Sequence, residues 1–597
     1  MARQLEHFPN LVAMFLDRAQ TNGDAPFLWA KQDGAWQPTS WARAAEIVSS
    51  LSEGLKALGL QRGDRVMLVS ENRPEWCLAD LAIMAAGCVT VPTYTTNTER
   101  DHAHILENSG ARAVIVSSAK LARTLLPAVL RSTACDHLIG IEPMRGAQGV
   151  QTHDWAGLIE AHPADLAATA AAALTLARDD LACIIYTSGT GGAPRGVRQH
   201  HGAILHNVAG CIDIISEDFF WGEEVFLSFL PLSHAYEHSG GQFLPIGLGG
   251  QIYYAEGLEK LASNIEETRP TIMVVVPRLF EVLRARILKQ IEKQGRFATY
   301  LLDQAQGIAE RDLAGRSRWT RLMDTPMELL LGRTLRPKIA ARFGGRMKAM
   351  VSGGAPLNPE VGRFFHAMGL TLLQGYGQTE SGPVISCNRP AAGIGMETVG
   401  PPLLNTEVRI AEDGEILVRG EQVMHGYWRN DQETARVLKD GWLYTGDVGH
   451  IDARGRIVIT DRKKDLLIND KGDNVAPQRV EGMLTLEPEI LQAMVHGDRR
   501  PYLVGLVVPD PEWLADWAAR EGIAQPVGKD DPRLARALQA AVDRVNGGLS
   551  VIEKVRRIIV ADEPFAIENE ELTPSMKIRR HVLRARYGER LEGLYKK

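Results

Sequence analysis

Short β-branched runs alternate with amphipathic helical stretches through the first two thirds of the chain, and that alternation restricts the fold more than any other feature. Val48, Leu51, Leu55 and Leu58 recur at spacings of three and four, which predicts a helix ending near Gly59. The turn Gly63-Asp64 then feeds Val66-Met67-Leu68-Val69, a buried strand, and the segment after Pro74 is helical again. Further strands are predicted at 113–116, 181–186, 225–230, 271–276, 349–352 and 370–374, most of them running into a loop rich in Gly, Ser, Thr or Pro. Such alternation predicts α/β architecture with mainly parallel sheets covered on both faces. Ligands then belong at the carboxyl ends of the strands.

The texture changes near residue 398. Glu407-Val408-Arg409-Ile410 and Glu415-Ile416-Leu417-Val418 alternate as antiparallel strands do. After the charged run Asp461-Arg462-Lys463-Lys464-Asp465, enough chain remains for a compact α+β domain. The expected organisation is a large N-terminal domain over 1–461, with layered α/β sheets and a β-rich subdomain, and a small C-terminal domain over 462–597.

At 597 residues, with 45% apolar and 23% charged residues, the chain has the profile of an enzyme-sized globular protein with a substantial core. A formal charge of −6 argues against nucleic acid as a partner. The six cysteines are scattered with no CxxC pair, which fits reduced thiols. The N-terminus carries an acid early and lacks an apolar signal core, and the low-charge stretches near 81–92 and 166–177 are too short to span a bilayer. A cytoplasmic location is therefore expected.

The strongest local signal is Tyr186-Thr187-Ser188-Gly189-Thr190-Gly191-Gly192-Ala193-Pro194-Arg195-Gly196. Its glycines let backbone approach a ligand closely, its hydroxyls and N–H groups can wrap phosphate oxygens, and Arg195 can pair with phosphate. No Gly-Lys-Ser/Thr follows, so it is not a Walker A loop. The segment resembles the phosphate loop of the adenylate-forming superfamily of acyl-CoA synthetases, luciferases and peptide-synthetase adenylation domains. It departs from that pattern twice, with Gly191 in place of a threonine and Arg195 in place of a lysine.

The rest of the superfamily pattern follows in order. Leu230-Pro231-Leu232-Ser233-His234 matches the motif at the acid site, and Gly353-Gly354-Ala355-Pro356 resembles the segment beside adenine. Gln374-Gly375-Tyr376-Gly377-Gln378-Thr379-Glu380 resembles the motif whose Tyr stacks on adenine, whose Thr contacts the α-phosphate and whose Glu holds Mg²⁺. The resemblance places Asp447 on the ribose hydroxyls, Arg462 and Lys464 at the hinge, and Lys577, after Leu572-Thr573-Pro574-Ser575-Met576, as the catalytic cation. It makes Gly472 part of a face presented to the thiol by a mobile C-terminal domain. Thr190 joins Glu380 as a metal-binding candidate.

The chemistry so implied adenylates a carboxylic acid with ATP and Mg²⁺ and passes the acyl group to coenzyme A. A hard carboxylate suits Mg²⁺ and a long lysine suits a charged transition state. The wording of the motifs is most like long-chain fatty acyl-CoA synthetases, as in Val276-Pro277-Arg278-Leu279-Phe280-Glu281 and Asn474-Val475-Ala476-Pro477-Gln478. A fatty acid needs an apolar tunnel, for which Gly240, Gly241, Gly247, Gly249 and Gly250 either leave room or serve turns and close packing. Alternatives are a fatty acyl-AMP ligase that serves a carrier protein, a short-chain or aryl acid–CoA ligase, and a catalytically silent nucleotide-binding protein. The helix around Leu279, Leu283, Ile287 and Ile291, with Arg284, Arg286, Lys289 and Lys293, offers peripheral contact with an anionic membrane, although inward packing is the commoner use of such a stripe.

Overall fold

A computed structural model describes residues 4–187, 193–313, 315, 317–471, 473–524, 526–573 and 577–596. Two large sheets organise the first 390 residues. One runs Gln151–Asp154, His137–Gly140, Ala113–Val116, Arg65–Val69, Val89–Thr93, Leu181–Thr187, Arg195–His200, parallel except for the last hairpin. The other runs Val384–Cys387, Leu372–Gly377, Ala349–Ser352, Ile272–Val275, Val225–Ser228, Gln251–Tyr254, Pro26–Gln32, Ala35–Ser40, with antiparallel strands only at its two edges. The predicted strands are all present.

Helices Trp41–Ala57, Pro74–Ala85 and His201–Asp218 lie between the sheets, and side chains from both sheets join them in one apolar cluster. The first starts where the Ser40 hydroxyl accepts from the Arg43 N–H, and it ends before Gly59 at φ 86°. The second begins with Pro74 and is apolar on nearly every side, as a helix packed on all sides must be. Trp41, Trp76, Phe15 and Phe27 are fully buried here, each contributing roughly 1.5–3 kcal/mol.

Residues 407–462 form the expected antiparallel sheet of five strands, whose last strand is Ile457–Arg462. Beyond it, the sheet Ile490–His496, Leu503–Pro509, Val555–Val560 separates two apolar clusters drawn entirely from residues after 466. The helix Pro277–Lys293 turns Phe280, Ile287 and Ile291 into a core shared with the helices Arg296–Leu313 and Pro359–Ala367. Its apolar stripe is therefore spent on packing and not on a membrane. Among the described residues no helix is long and apolar enough to cross a membrane, and the six cysteines are free.

Candidate active site

Strand ends from both large sheets and the 407–462 sheet open on a single cavity of about 1860 Å³. The strand Leu181–Thr187 brings Thr187 to its wall. Ser188, Gly189, Thr190, Gly191 and Gly192 lie outside the described residues, and with them the proposed metal role of Thr190. On the return strand, Arg195 pairs with Glu433, which also takes two hydrogen bonds from Arg436. The Arg195 guanidinium lies over the Tyr427 ring, 4.7 Å from its centroid.

The parallel register of Ala349–Ser352 against Leu372–Gly377 sets the segment 353–356 beside 374–377. Gly353 is required by close approach, since a Cβ there would sit 2.7 Å from the Tyr236 ring. At Gly377 a Cβ would overlap the Pro383 carbonyl. Gln374 is a clamp: its Oε1 accepts from the Leu357 N–H at 2.9 Å, and its Nε2 donates to the Thr398 carbonyl at 3.0 Å. The Tyr376 hydroxyl donates to Asp447 Oδ2 at 2.7 Å, and Arg462 Nε donates to Oδ1 at 3.2 Å. Burial first, and then the Asp447 charge, push the Tyr376 phenol well above its ordinary pKa, so it remains a donor. Glu380 accepts from the Tyr427 hydroxyl at 2.8 Å through one oxygen and faces the cavity. A carboxylate with one oxygen anchored and facing the cavity is a hard oxygen donor of the kind that would hold Mg²⁺.

Two titratable groups complete the site. Lys577 follows residues 574–576, which lie outside the described residues; Thr573 N–H donates to the Lys577 carbonyl at 2.8 Å and Lys577 N–H donates to Thr573 Oγ1 at 3.0 Å. Burial, and then the Arg462 charge, lower its ammonium to about 8, against the opposing pull of Asp447 and Glu380. His234 is lowered to about 4 by burial, with Lys577 adding to the effect. The imidazole is thus neutral at pH 7. Its Nδ1 accepts from the Tyr236 N–H at 3.2 Å, which assigns the proton to Nε2 and leaves that N–H as a donor.

Every predicted site residue that the structure describes lines this cavity: Thr187, Arg195, His234, Gly353, Ala355, Pro356, Gln374, Gly375, Tyr376, Gly377, Thr379, Glu380, Asp447, Arg462, Lys464 and Lys577. Gly472 lies outside the described residues, and its neighbours Lys471 and Asp473 do not reach the cavity.

An apolar arm leaves the site along the helix His201–Asp218, which presents Val208, Cys211, Ile214 and Ile215 to it, with Phe219 just beyond its end. From Asn207 to Phe219 the arm follows about 18 Å of helix. Of the five glycines considered for a tunnel, only Gly240 lines it. Side chains at Gly241 and Gly247 would meet Glu237 and Val208, Gly250 packs on the Glu224 carbonyl, and Gly249 turns at φ 69°. Those four serve packing and turning.

Residues 15–428 match the AMP-binding enzyme family, and residues 464–597 match the AMP-binding enzyme C-terminal domain. The chain is an AMP-binding enzyme. This AMP-binding enzyme is 32% identical to the long-chain-fatty-acid–CoA ligase FadD15 of Mycobacterium tuberculosis, covering 98% of this chain and 97% of that one. It is 30% identical to the peroxisomal long chain acyl-CoA synthetase 7 of Arabidopsis thaliana over 97% of this chain and 85% of the relative. Its fold matches the adenylation domain of a carboxylate reductase from Mycobacterium chelonae with a TM-score of 0.75 at 23% identity, covering 99% and 92% of the two chains. It also matches a benzoate CoA ligase from Burkholderia xenovorans with a TM-score of 0.70 at 22% identity, covering 96% and 99%.

Sequence reasoning missed Tyr427, Glu433 and Arg436 in this enzyme's site. Tyr427 touches Glu380 through its hydroxyl and Arg195 through its ring face. The only cue was an aromatic residue directly after Gly426 in a loop, and nothing in that pattern names its two partners.

Proposed function

We propose that the chain is an AMP-forming acid–thiol ligase acting on long-chain fatty acids, with ATP, Mg²⁺ and coenzyme A. One observation carries the reading: Glu380, Asp447, His234 and Lys577 line one cavity that also runs along the apolar side chains Val208, Cys211, Ile214 and Ile215 of the helix His201–Asp218.

In the first step a carboxylate oxygen attacks the α-phosphorus of ATP, the bond to the β-phosphate oxygen breaks, and pyrophosphate leaves. Two anions must meet, so catalysis is chiefly positioning and charge neutralisation. The neutral His234 Nε2–H is available to hold the acid's carboxylate. Lys577 supplies a cation to the reacting phosphate, and the phosphate charge raises its lowered pKa so that it is protonated there. Asp447 orients the ribose and Tyr376 flanks the base. Glu380 would hold Mg²⁺, which neutralises polyphosphate charge when bound.

In the second step the thiol sulfur attacks the acyl carbonyl carbon, the acyl–phosphate bond breaks, and AMP leaves. With Lys577 buried in the site for the first step, the thiol is admitted after a turn of the C-terminal domain, residues 462–597, about the 461–465 segment. Gly472, with Lys471 and Asp473, then belongs to the surface brought in by that turn.

Pyrophosphate release measured over acids from acetate to stearate, with and without coenzyme A, tests the reading. Release rising with chain length, and AMP formation dependent on coenzyme A, are expected. Absence of release with every acid refutes it, and release that coenzyme A does not complete transfers the acyl group to a carrier protein instead.

A further inference from the structure

The helix Arg318–Arg333 is built inside out for a helix of a globular protein. Trp319 is 78% exposed, Leu322 67% and Met323 80%, and Leu329 and Leu330 are also open to solvent. At 3.6 residues per turn these five side chains and Pro326 occupy one arc of about 120°. The opposite side holds the buried Leu331 and the carboxylate of Asp324, whose side chain is only 12% exposed and pairs with Arg311 at 2.8 Å. Glu328 is likewise neutralised, by Arg336 at 2.5 Å. A surface helix ordinarily turns its acids outward and its tryptophan inward; here the carboxylate is hidden and the indole is shown. Phe297 and Tyr300, on the preceding helix Arg296–Leu313, are exposed as well.

Charge selects the occupant. Residues 284–342 carry thirteen lysines and arginines against six acids, in a chain whose formal charge is −6. Exposed cations, among them Lys293, Arg296, Arg333 and Lys338, lie in the same stretch. An exposed apolar arc that includes a tryptophan, in a segment rich in basic residues, matches the interface of an anionic bilayer, where apolar side chains enter the headgroup–acyl boundary and each cation near the surface adds about 1 kcal/mol. Exposed apolar surface of this kind marks an interaction site.

We propose that the outward face of the helix Arg318–Arg333 docks this chain on an anionic lipid surface, with the helix lying in the interface plane. The inference stands on the exposed arc and the basic segment, and it does not depend on the acid–thiol chemistry proposed above.

Sedimentation of the full chain with vesicles tests it, using the double variant Leu322→Glu, Met323→Glu. Wild type is expected to bind phosphatidylglycerol vesicles, to bind phosphatidylcholine vesicles at least tenfold more weakly, and to lose most of its binding in high salt. The double variant is expected to lose roughly tenfold or more in partitioning, with an unchanged thermal midpoint because both side chains are already in water. Binding that survives the double substitution, or a wild type that ignores phosphatidylglycerol, overturns the proposal. So does a wild-type dimer in sedimentation velocity that the double variant disperses, since the face would then belong to a second copy. If the double variant unfolds, the single change Trp319→Gln serves in its place with the same expected direction.

Discussion

Replacing Lys577 by alanine removes a cation that acts on Glu380 and Asp447. A unit charge about 4 Å from a phosphate oxygen at an effective dielectric near 20 contributes about 4 kcal/mol. Part of that acts on the bound ground state as well, so roughly 3 kcal/mol falls on the transition state, a rate loss of about 10²-fold. ATP–pyrophosphate exchange reads the adenylation step alone, and thioester formation from supplied acyl-adenylate reads the second. The first should fall by about two orders of magnitude and the second by less than threefold. Burial lowers the Lys577 ammonium to about 8. With its folded value below the unfolded one, the closed pose is penalised below pH 8, and the penalty is relieved as pH rises toward the ordinary lysine range. Nucleotide phosphate reverses that shift, so ATP binding near pH 8.5 should take up a proton, seen as a buffer-dependent heat, and the alanine variant should not. A loss of exchange under fivefold, or equal loss in both half-reactions, refutes the assigned role.

Two other perturbations follow from the same geometry. Gly240 and Val274 both line the cavity, and a Cβ at Gly240 would sit 3.0 Å from Val274 Cγ2. The rest of a valine side chain must then turn into the cavity or displace its wall, so Gly240→Val should lower kcat/KM for palmitate roughly tenfold or more while sparing butyrate; equal effects on both acids would remove the arm from the acyl site. Arg580 donates to both oxygens of Glu481 at 2.6 and 2.5 Å, and Glu481 also accepts from the Val495 N–H, which fixes the base of the Lys577 loop. Arg580→Ala should depress exchange more than thioester formation, with partial recovery in Arg580→Lys, whereas a purely structural loss would lower both alike.

The α/β layers were legible because period-2 and period-3.6 patterns are local, and a buried parallel strand such as 113–116 can hardly be written otherwise. The site was legible for a different reason: strand-end loops with glycine and hydroxyl residues have few structural uses, and their order along the chain matched a known family. What stayed hidden depends on contacts distant in sequence. Nothing near Tyr427 announces that its hydroxyl meets Glu380 while its ring carries Arg195. Gly241, Gly247 and Gly250 were ambiguous for the same reason, since only the position of Glu237, Val208 and Glu224 decides between a tunnel wall and a tight contact. The basic stripe on the helix Pro277–Lys293 drew attention by its periodicity, while the exposed face next to it, on Arg318–Arg333, breaks the usual pattern and so gave no periodic signal.

Asp447 divides its carboxylate between Tyr376, in the cavity wall, and Arg462, the last residue of the strand that leads into the C-terminal segment. A ligand hydroxyl that draws on Asp447 must therefore compete with Arg462. Under the proposed function, sensing an occupied sugar position and loosening the joint would be one event, carried by two oxygens on a single side chain.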